Sequence, residues 1–311
     1  MKIENQPKIL ITGANGYLGS NLALHLSEKG LTPILSDRAP IALIQGFEYR
    51  ACDFLDLDQI RSCIHDVDFI YFCTGKTGNS SEALNDPAAF VSGNELTLVN
   101  LLSCIKDLKQ KPRVIFPSTR LLYKGGSEEA LNEEAPLSPK SLYSSNKVAC
   151  ENYLRIFAEN FGIEYTIFRI SLPYASRISM EYVSYGVMAY LLKRAKEGQE
   201  LQVFGDGSQL VSLVHIEDLS EILVQGGMHP AAANEIFNIG GPDIMRMREV
   251  LELIAAKYEV PLKQIGWPDE MKSSNQGHLH LSSGKIVRLL NYQFRQGFRD
   301  WIGKSEERSK K

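Results

Sequence analysis

The segment KILITGANGYLG, residues 8–19, constrains this chain more than any other. Its apolar start, 8–12, reads as a buried strand, and Leu18, Leu22 and Leu26 recur every fourth residue until Gly30 stops the pattern, as in a helix. Between them lies a T-G-x-x-G-x-x-G loop. Gly13, Gly16 and Gly19 let the chain turn tightly and bring backbone N–H groups close to a ligand, while the helix N-terminus adds partial positive charge. A strand, such a loop and a helix in this order form a pyrophosphate cradle within a parallel α/β sheet.

The alternation continues beyond the loop. Runs rich in Ile, Val, Phe and Tyr predict strands at 33–36, 48–51, 69–73, 114–117 and 165–170, and their near-continuous apolar character implies sheet faces covered on both sides. Helices are predicted over 87–105, where Leu98, Leu101, Leu102 and Ile105 form a stripe, and over 142–159. Past Ile170 the pattern loosens, with a strand near 210–214, a helix over 217–225, a strand over 236–239 and a helix over 247–257. No internal repeat or linker is present.

Asp37 ends the second predicted strand, at the distance from the glycine loop where a carboxylate accepts hydrogen bonds from an adenosine ribose and repels a 2′-phosphate. NAD is therefore favoured over NADP, although Arg38 next door is the kind of residue that pairs with such a phosphate. Tyr143 and Lys147 lie four residues apart, which places them on one face of a helix. An ammonium beside a phenol stabilises the phenolate and lets it act as a base. The strand before that helix ends in Ser118 and Thr119, hydroxyls at the carboxyl edge of the sheet that can hold a reacting hydroxyl or carbonyl group.

Other classes are disfavoured. Net charge is −3, with only a short basic cluster, 308–311, so neutralising a nucleic-acid backbone is not expected. No apolar run is expected to span a bilayer, and the start carries no secretory pattern, which together point to the cytoplasm. Five cysteines, an odd number without a C-x-x-C pair, read as buried reduced thiols rather than disulfides or a zinc site. His278 and His280 alternate without ligand partners, so no metal is expected; His215 and Asp218 read as structural residues at a helix start.

These residues resemble the extended short-chain dehydrogenase/reductases, particularly the NAD-dependent epimerases and dehydratases of nucleotide sugars. The likeness runs through TGANGYLG, Asp53-Phe54, residues 72–75 (FCTG), residues 94–100 (NELTLVN), Thr119, Tyr143 and Lys147, residues 169–177 (RISLPYASR), GDGSQ at 205–209, HIED at 215–218 and FNIG at 237–240. It implies a Rossmann-type doubly wound parallel sheet over 1–172 plus about 210–240, and a smaller, discontinuous C-terminal α/β substrate lobe over about 173–209 plus 241–311. It assigns catalysis to Thr119, Tyr143 and Lys147. It places Gly13, Asn15, Gly16, Tyr17, Leu18, Asp37, Arg38, Asp53, Phe54, Cys73, Thr74, Gly75, Asn94, Lys147 and Pro173 around NAD. Around a nucleotide-linked sugar it places Lys76, Ser118, Thr119, Arg120, Tyr143, Leu172, Tyr185, Val203 and Val211.

Two positions depart from the pattern: Leu172 stands where Asn is usual, and Val211 where an Arg grips the diphosphate. Arg120-Leu121 replaces the Asp-Glu pair of the 4,6-dehydratases, which disfavours dehydration. The implied activity is epimerisation through a transient keto-sugar, with a keto-sugar reductase or dehydrogenase, or an NAD-binding sensor without turnover, as alternatives. The helices around Leu98 and Tyr153 imply a homodimer by analogy.

Overall fold

The computed structural model describes residues 6–77, 80–178, 186–268, 272 and 275–304. Seven parallel strands form the main sheet: β1 (Ile9–Thr12), β2 (Ile34–Asp37), β3 (Tyr49–Ala51), β4 (Phe69–Phe72), β5 (Arg113–Thr119), β6 (Tyr165–Ile170) and β10 (Glu235–Ile239), in the order β10-β6-β5-β4-β1-β2-β3. The order reverses between β1 and β4, which opens a crevice at their carboxyl ends. Alternate side chains feed two cores. Ile9 and Ile11 point to one with Leu22, Leu26, Leu219 and Leu223, and Leu10 to the other with Leu98, Leu101 and Leu154. Both faces are covered as expected, except at the edge strand β3, whose residues are half-buried or exposed.

Helix α1 (Tyr17–Glu28) follows β1, and α2 (Leu57–Cys63) is capped by the Asp56 side chain. Helices α3 (Ser80–Asn85) and α4 (Pro87–Val91) lead into a π-helical turn, Ser92–Leu96, and then α5 (Thr97–Ile105), so the single helix expected over 87–105 is interrupted. Contrary to the reading of the sequence, Pro87–Ile105 does reach the length and mean hydropathy of a membrane span, yet Phe90, Leu98, Leu101, Leu102 and Ile105 are buried against the protein. Helix α6 (Leu142–Phe161) begins with a capping box between Ser141 and Ser144 and ends on Gly162 at positive φ. All five cysteines are free thiols, Cys73 half-buried and the others buried.

The lobe carries a three-stranded sheet, β11-β9-β7, and a two-stranded one, β12-β8. These are β7 (Leu172–Tyr174), β8 (Leu201–Phe204), β9 (Leu210–His215), β11 (Asp243–Arg246) and β12 (Leu262–Ile265), packed with α7 (Val187–Lys196) and α9 (Met247–Tyr258). The strand at 210–215, expected with the large domain, instead pairs with β7 and β11, and the chain returns to the large domain at α8 (Ile216–Met228). The polypeptide from Gly284 to Tyr292 also packs back onto the large domain through Ile286 and Tyr292.

Candidate active site

Two glycines make the crevice possible. Gly13 sits at φ +62, and a Cβ there would lie 2.7 Å from the Cys73 backbone, so the loop after β1 can touch the loop after β4 only without a side chain. At Gly19 a Cβ would lie 2.5 Å from the Gly13 carbonyl oxygen. Helix α1 starts at Gly16 with no side-chain cap, which leaves first-turn N–H groups directed at the crevice. Asp37 lies beside the loop, accepting the backbone N–H of Asn15 (3.1 Å) and of Ala39 (3.2 Å); Arg38 is exposed. An open helix terminus, a close-packed glycine turn and a carboxylate at the end of β2 fit a dinucleotide's pyrophosphate and ribose.

Several residues expected around the cofactor are spent on shaping it. The Asn15 amide binds the 41–43 loop through Ile41 and Leu43. Thr74 donates its hydroxyl to Thr12 (2.8 Å), and the Asn94 amide, buried within the π-turn, clamps Lys76 and Phe90. The Phe54 ring is buried edge-on to Phe72, centroids 5.7 Å apart, and its carbonyl oxygen accepts from the Asn100 amide (3.1 Å), while Asp53 beside it is half-buried. Tyr17 donates its hydroxyl to Ala175 (2.6 Å), tying α1 to the lobe, and burial pushes its phenol far up. Burial also raises the Cys73 thiol to about 12, opposed by Lys147. Pro173 lies in β7 in register with Val214.

Lys147 reaches from α6 to the end of β5, the strand that Thr119 closes, with Tyr143 one turn before it on the helix. The Lys147 ammonium donates to the Pro117 carbonyl oxygen (2.9 Å), lies 4.4 Å from the Phe116 ring centre and 5.8 Å from that of Tyr143. The Thr119 oxygen accepts the Leu121 N–H (3.2 Å), which leaves its O–H free to donate. Among the described residues the Tyr143 hydroxyl has no hydrogen-bond partner. A positioned phenol, an ammonium and a hydroxyl donor can transfer a proton to or from a carbinol oxygen.

Beneath them lies a network the sequence reading missed. Glu151, one turn past Lys147, accepts from Arg169 (2.7 Å) and Ser118 (2.6 Å), and Arg169 continues to Tyr123, whose hydroxyl donates to Asn238 (2.7 Å). Ser118 therefore turns away from the crevice rather than toward a substrate: its hydroxyl is in the buried ion pair. The signal was present, since Tyr143, Lys147 and Glu151 repeat at i, i+4 and i+8 on one face of α6.

The lobe corrects more of the expectations. Leu172, Val203 and Val211, placed with the substrate, are all buried in the lobe's apolar core, because β7, β8 and β9 alternate their side chains and these face inward. Lys76 leans over Phe90 (5.2 Å) and Asp86 (4.0 Å) at the surface. Tyr185 lies outside the described residues. His215 accepts the Glu217 N–H at the start of α8, and Asp218 accepts from Tyr292 (2.6 Å) and from backbone N–H groups of Arg295 and Gln296, both structural roles.

The sequence profile of the NAD dependent epimerase/dehydratase family matches residues 9–240. A dTDP-4-dehydro-6-deoxy-D-allose reductase from a Streptomyces species is 25% identical over 267 residues, 80% of each chain. A putative UDP-glucose 4-epimerase from Methanocaldococcus jannaschii is 25% identical over 288 residues, 90% of this chain and 92% of that one. The structure also superposes on UDP-glucuronic acid 4-epimerase from Bacillus cereus, determined with UDP-glucuronic acid and NAD, with a TM-score of 0.82 and 23% identity over 95% of this chain and 96% of the other.

Proposed function

Because this chain belongs to the NAD dependent epimerase/dehydratase family, an enzyme family of the extended short-chain dehydrogenase/reductases, we propose that it is an NAD-dependent epimerase of a nucleotide-linked sugar. The observation that supports the reading is Lys147 beside Tyr143 on α6, bonded to the end of the strand that Thr119 closes, in a chain that also has an uncapped α1 terminus with Asp37 beside its glycine loop.

Asp37, the α1 N-terminus and Lys147 would hold the dinucleotide, which when bound supplies a reversible two-electron acceptor for the carbon bearing the hydroxyl. Asp37 favours NAD because a 2′-phosphate would meet its charge. Thr119 donates its O–H to the substrate oxygen and fixes its direction. Tyr143 takes the hydroxyl proton as the alcohol becomes a ketone, and returns it when the alcohol re-forms. Lys147, held by Pro117, places its ammonium beside the Tyr143 ring. The Glu151–Arg169 pair holds α6 against β6, and the Ser118 hydroxyl ties the same carboxylate to β5.

A keto-sugar reductase is the second reading, favoured by the similarity to the Streptomyces reductase. The exposed Leu96, Ile156 and Phe161 on the helices around α5 and α6 support a homodimer through that face, and a cytoplasmic setting fits five reduced thiols.

Incubating the purified enzyme with UDP- and dTDP-hexoses, and reading sugar stereochemistry by NMR beside the absorbance of reduced nicotinamide, separates these readings. An epimer formed without net change in NADH is the expected result. Net NADH consumption with a keto-sugar would make it a reductase, and no turnover in either assay would overturn both.

A further inference from the structure

We infer that Arg120 is a specificity-determining residue that grips an oxyanion of the substrate, a phosphate or a carboxylate. This rests on the function proposed above and names the feature by which that site selects its sugar.

Arg120 follows Thr119 directly, in the 3-10 turn Arg120–Leu122 at the carboxyl end of β5. Its guanidinium makes one hydrogen bond, from Nη1 to the Leu279 carbonyl oxygen, and at 3.4 Å it is a long one. Leu279 is buried and bridges Val211 of β9, so that wall is apolar. Among the described residues Arg120 forms no ion pair, whereas three other well-covered arginines do: Arg169 with Glu151 (2.7 Å), Arg113 with Glu164 (2.8 Å) and Arg177 with Glu28 (2.6 Å).

A guanidinium carries five N–H donors in a fixed planar fork and does not lose its charge in a protein. Half-buried, and among the described residues bonded only to the Leu279 carbonyl oxygen, it keeps donors open to an incoming oxyanion. Burial lowers its pKa to about 10, and no neighbouring carboxylate opposes the effect. The fork matches two oxygens of a carboxylate or phosphate, and the scarcity of competing acceptors strengthens such a pair. Standing one residue from the hydroxyl assigned to the reacting oxygen, the group would orient the sugar as well as bind it.

The test is calorimetry on NAD-loaded protein with UDP, UDP-glucose and UDP-glucuronate, comparing the wild type with Arg120→Ala. Arg120→Gln, which keeps a donor for the Leu279 carbonyl and removes the charge, serves as the second variant if Arg120→Ala does not fold. If the oxyanion is the diphosphate, all three affinities fall at least tenfold. If it is a carboxylate on the sugar, only UDP-glucuronate falls by that factor and the other two are unchanged. Equal affinities in wild type and variant for every probe overturn the inference, as does a wild type that binds none of the three. Failure of the wild type to bind NAD would instead sink the function on which it rests.

Discussion

In the large domain Tyr143, Lys147 and Glu151 share one face of α6 and the polar groups below them are paired, whereas in the lobe Leu172, Val203 and Val211 close an apolar core where contacts with a sugar were expected. The two halves of one crevice are thus built by opposite means. The first is preorganised: glycine backbone, an uncapped helix end and a buried ion pair hold the chemistry in place before any ligand arrives. The second turns Leu172, Val203 and Val211 into its own core, and Arg120 reaches from the large domain to the Leu279 carbonyl oxygen. Chemistry and specificity can therefore change independently in this architecture.

The largest expected effect tests the preorganised half. Tyr143→Phe removes only the oxygen that exchanges the proton, and should lower kcat by about 10²–10⁴ while leaving NAD affinity unchanged. An unaltered kcat would transfer the base to another group. Glu151→Gln leaves the Arg169 charge buried without its partner, and should cost about 3–5 kcal/mol in denaturant unfolding. A loss below about 1 kcal/mol would mean that the α6–β6 junction does not depend on the pair.

Asp37→Ala removes a charged acceptor from the glycine loop. NAD affinity should fall about tenfold or more, and the preference over NADP should narrow, consistent with about 1.5–3 kcal/mol for a hydrogen bond to a charged group. A ratio of affinities for NAD and NADP identical to wild type would remove Asp37 from cofactor choice.

Acid should weaken the fold through its buried histidines. His25, His215 and His280 have pKa values held below the ordinary 6.5, in each case first by burial; for His25 burial outweighs Glu221 at 3.2 Å. The unfolded chain takes up protons near 6.5 that the folded chain accepts only at lower pH. Their contribution is full above 6.5 and declines as pH falls from there toward the lowered values. A Tm that drops between about pH 7.5 and about pH 5.5 is expected, and a flat profile would contradict it. The smallest effect belongs to the joint between the halves, where Ala175 accepts the Tyr17 hydroxyl from a left-handed conformation, φ 66. Ala175→Gly should relieve strain and gain at most about 1 kcal/mol, the greater flexibility of unfolded glycine offsetting part of it.

The large domain was legible because its signals are local. A glycine required by a 2.7 Å approach to Cys73, a carboxylate at a strand end and a Tyr–Lys pair four residues apart all show in short windows. Its buried network was not, since Glu151, Arg169, Tyr123 and Asn238 meet only through tertiary packing. The lobe was misread for the same reason. Strand β8 presents one face to the core and the other outward while β9 is buried from Val211 to His215, and where Val203 and Val211 end up depends on pairing with β12, β7 and β11, set by distant segments. The strand near 210–214 was expected within the large domain because its apolar run alone cannot name its partner. Asn15, Thr74 and Asn94 were expected around the cofactor, and their side chains fasten loops to one another.

The most direct measurement of the central claim is mass spectrometry of the small molecules released when the purified protein is denatured, with absorbance scanned for reduced nicotinamide. NAD or NADH in near-stoichiometric amount is expected, retained between turnovers as an epimerase requires. Protein that releases no dinucleotide and gains none after incubation with NAD would contradict it.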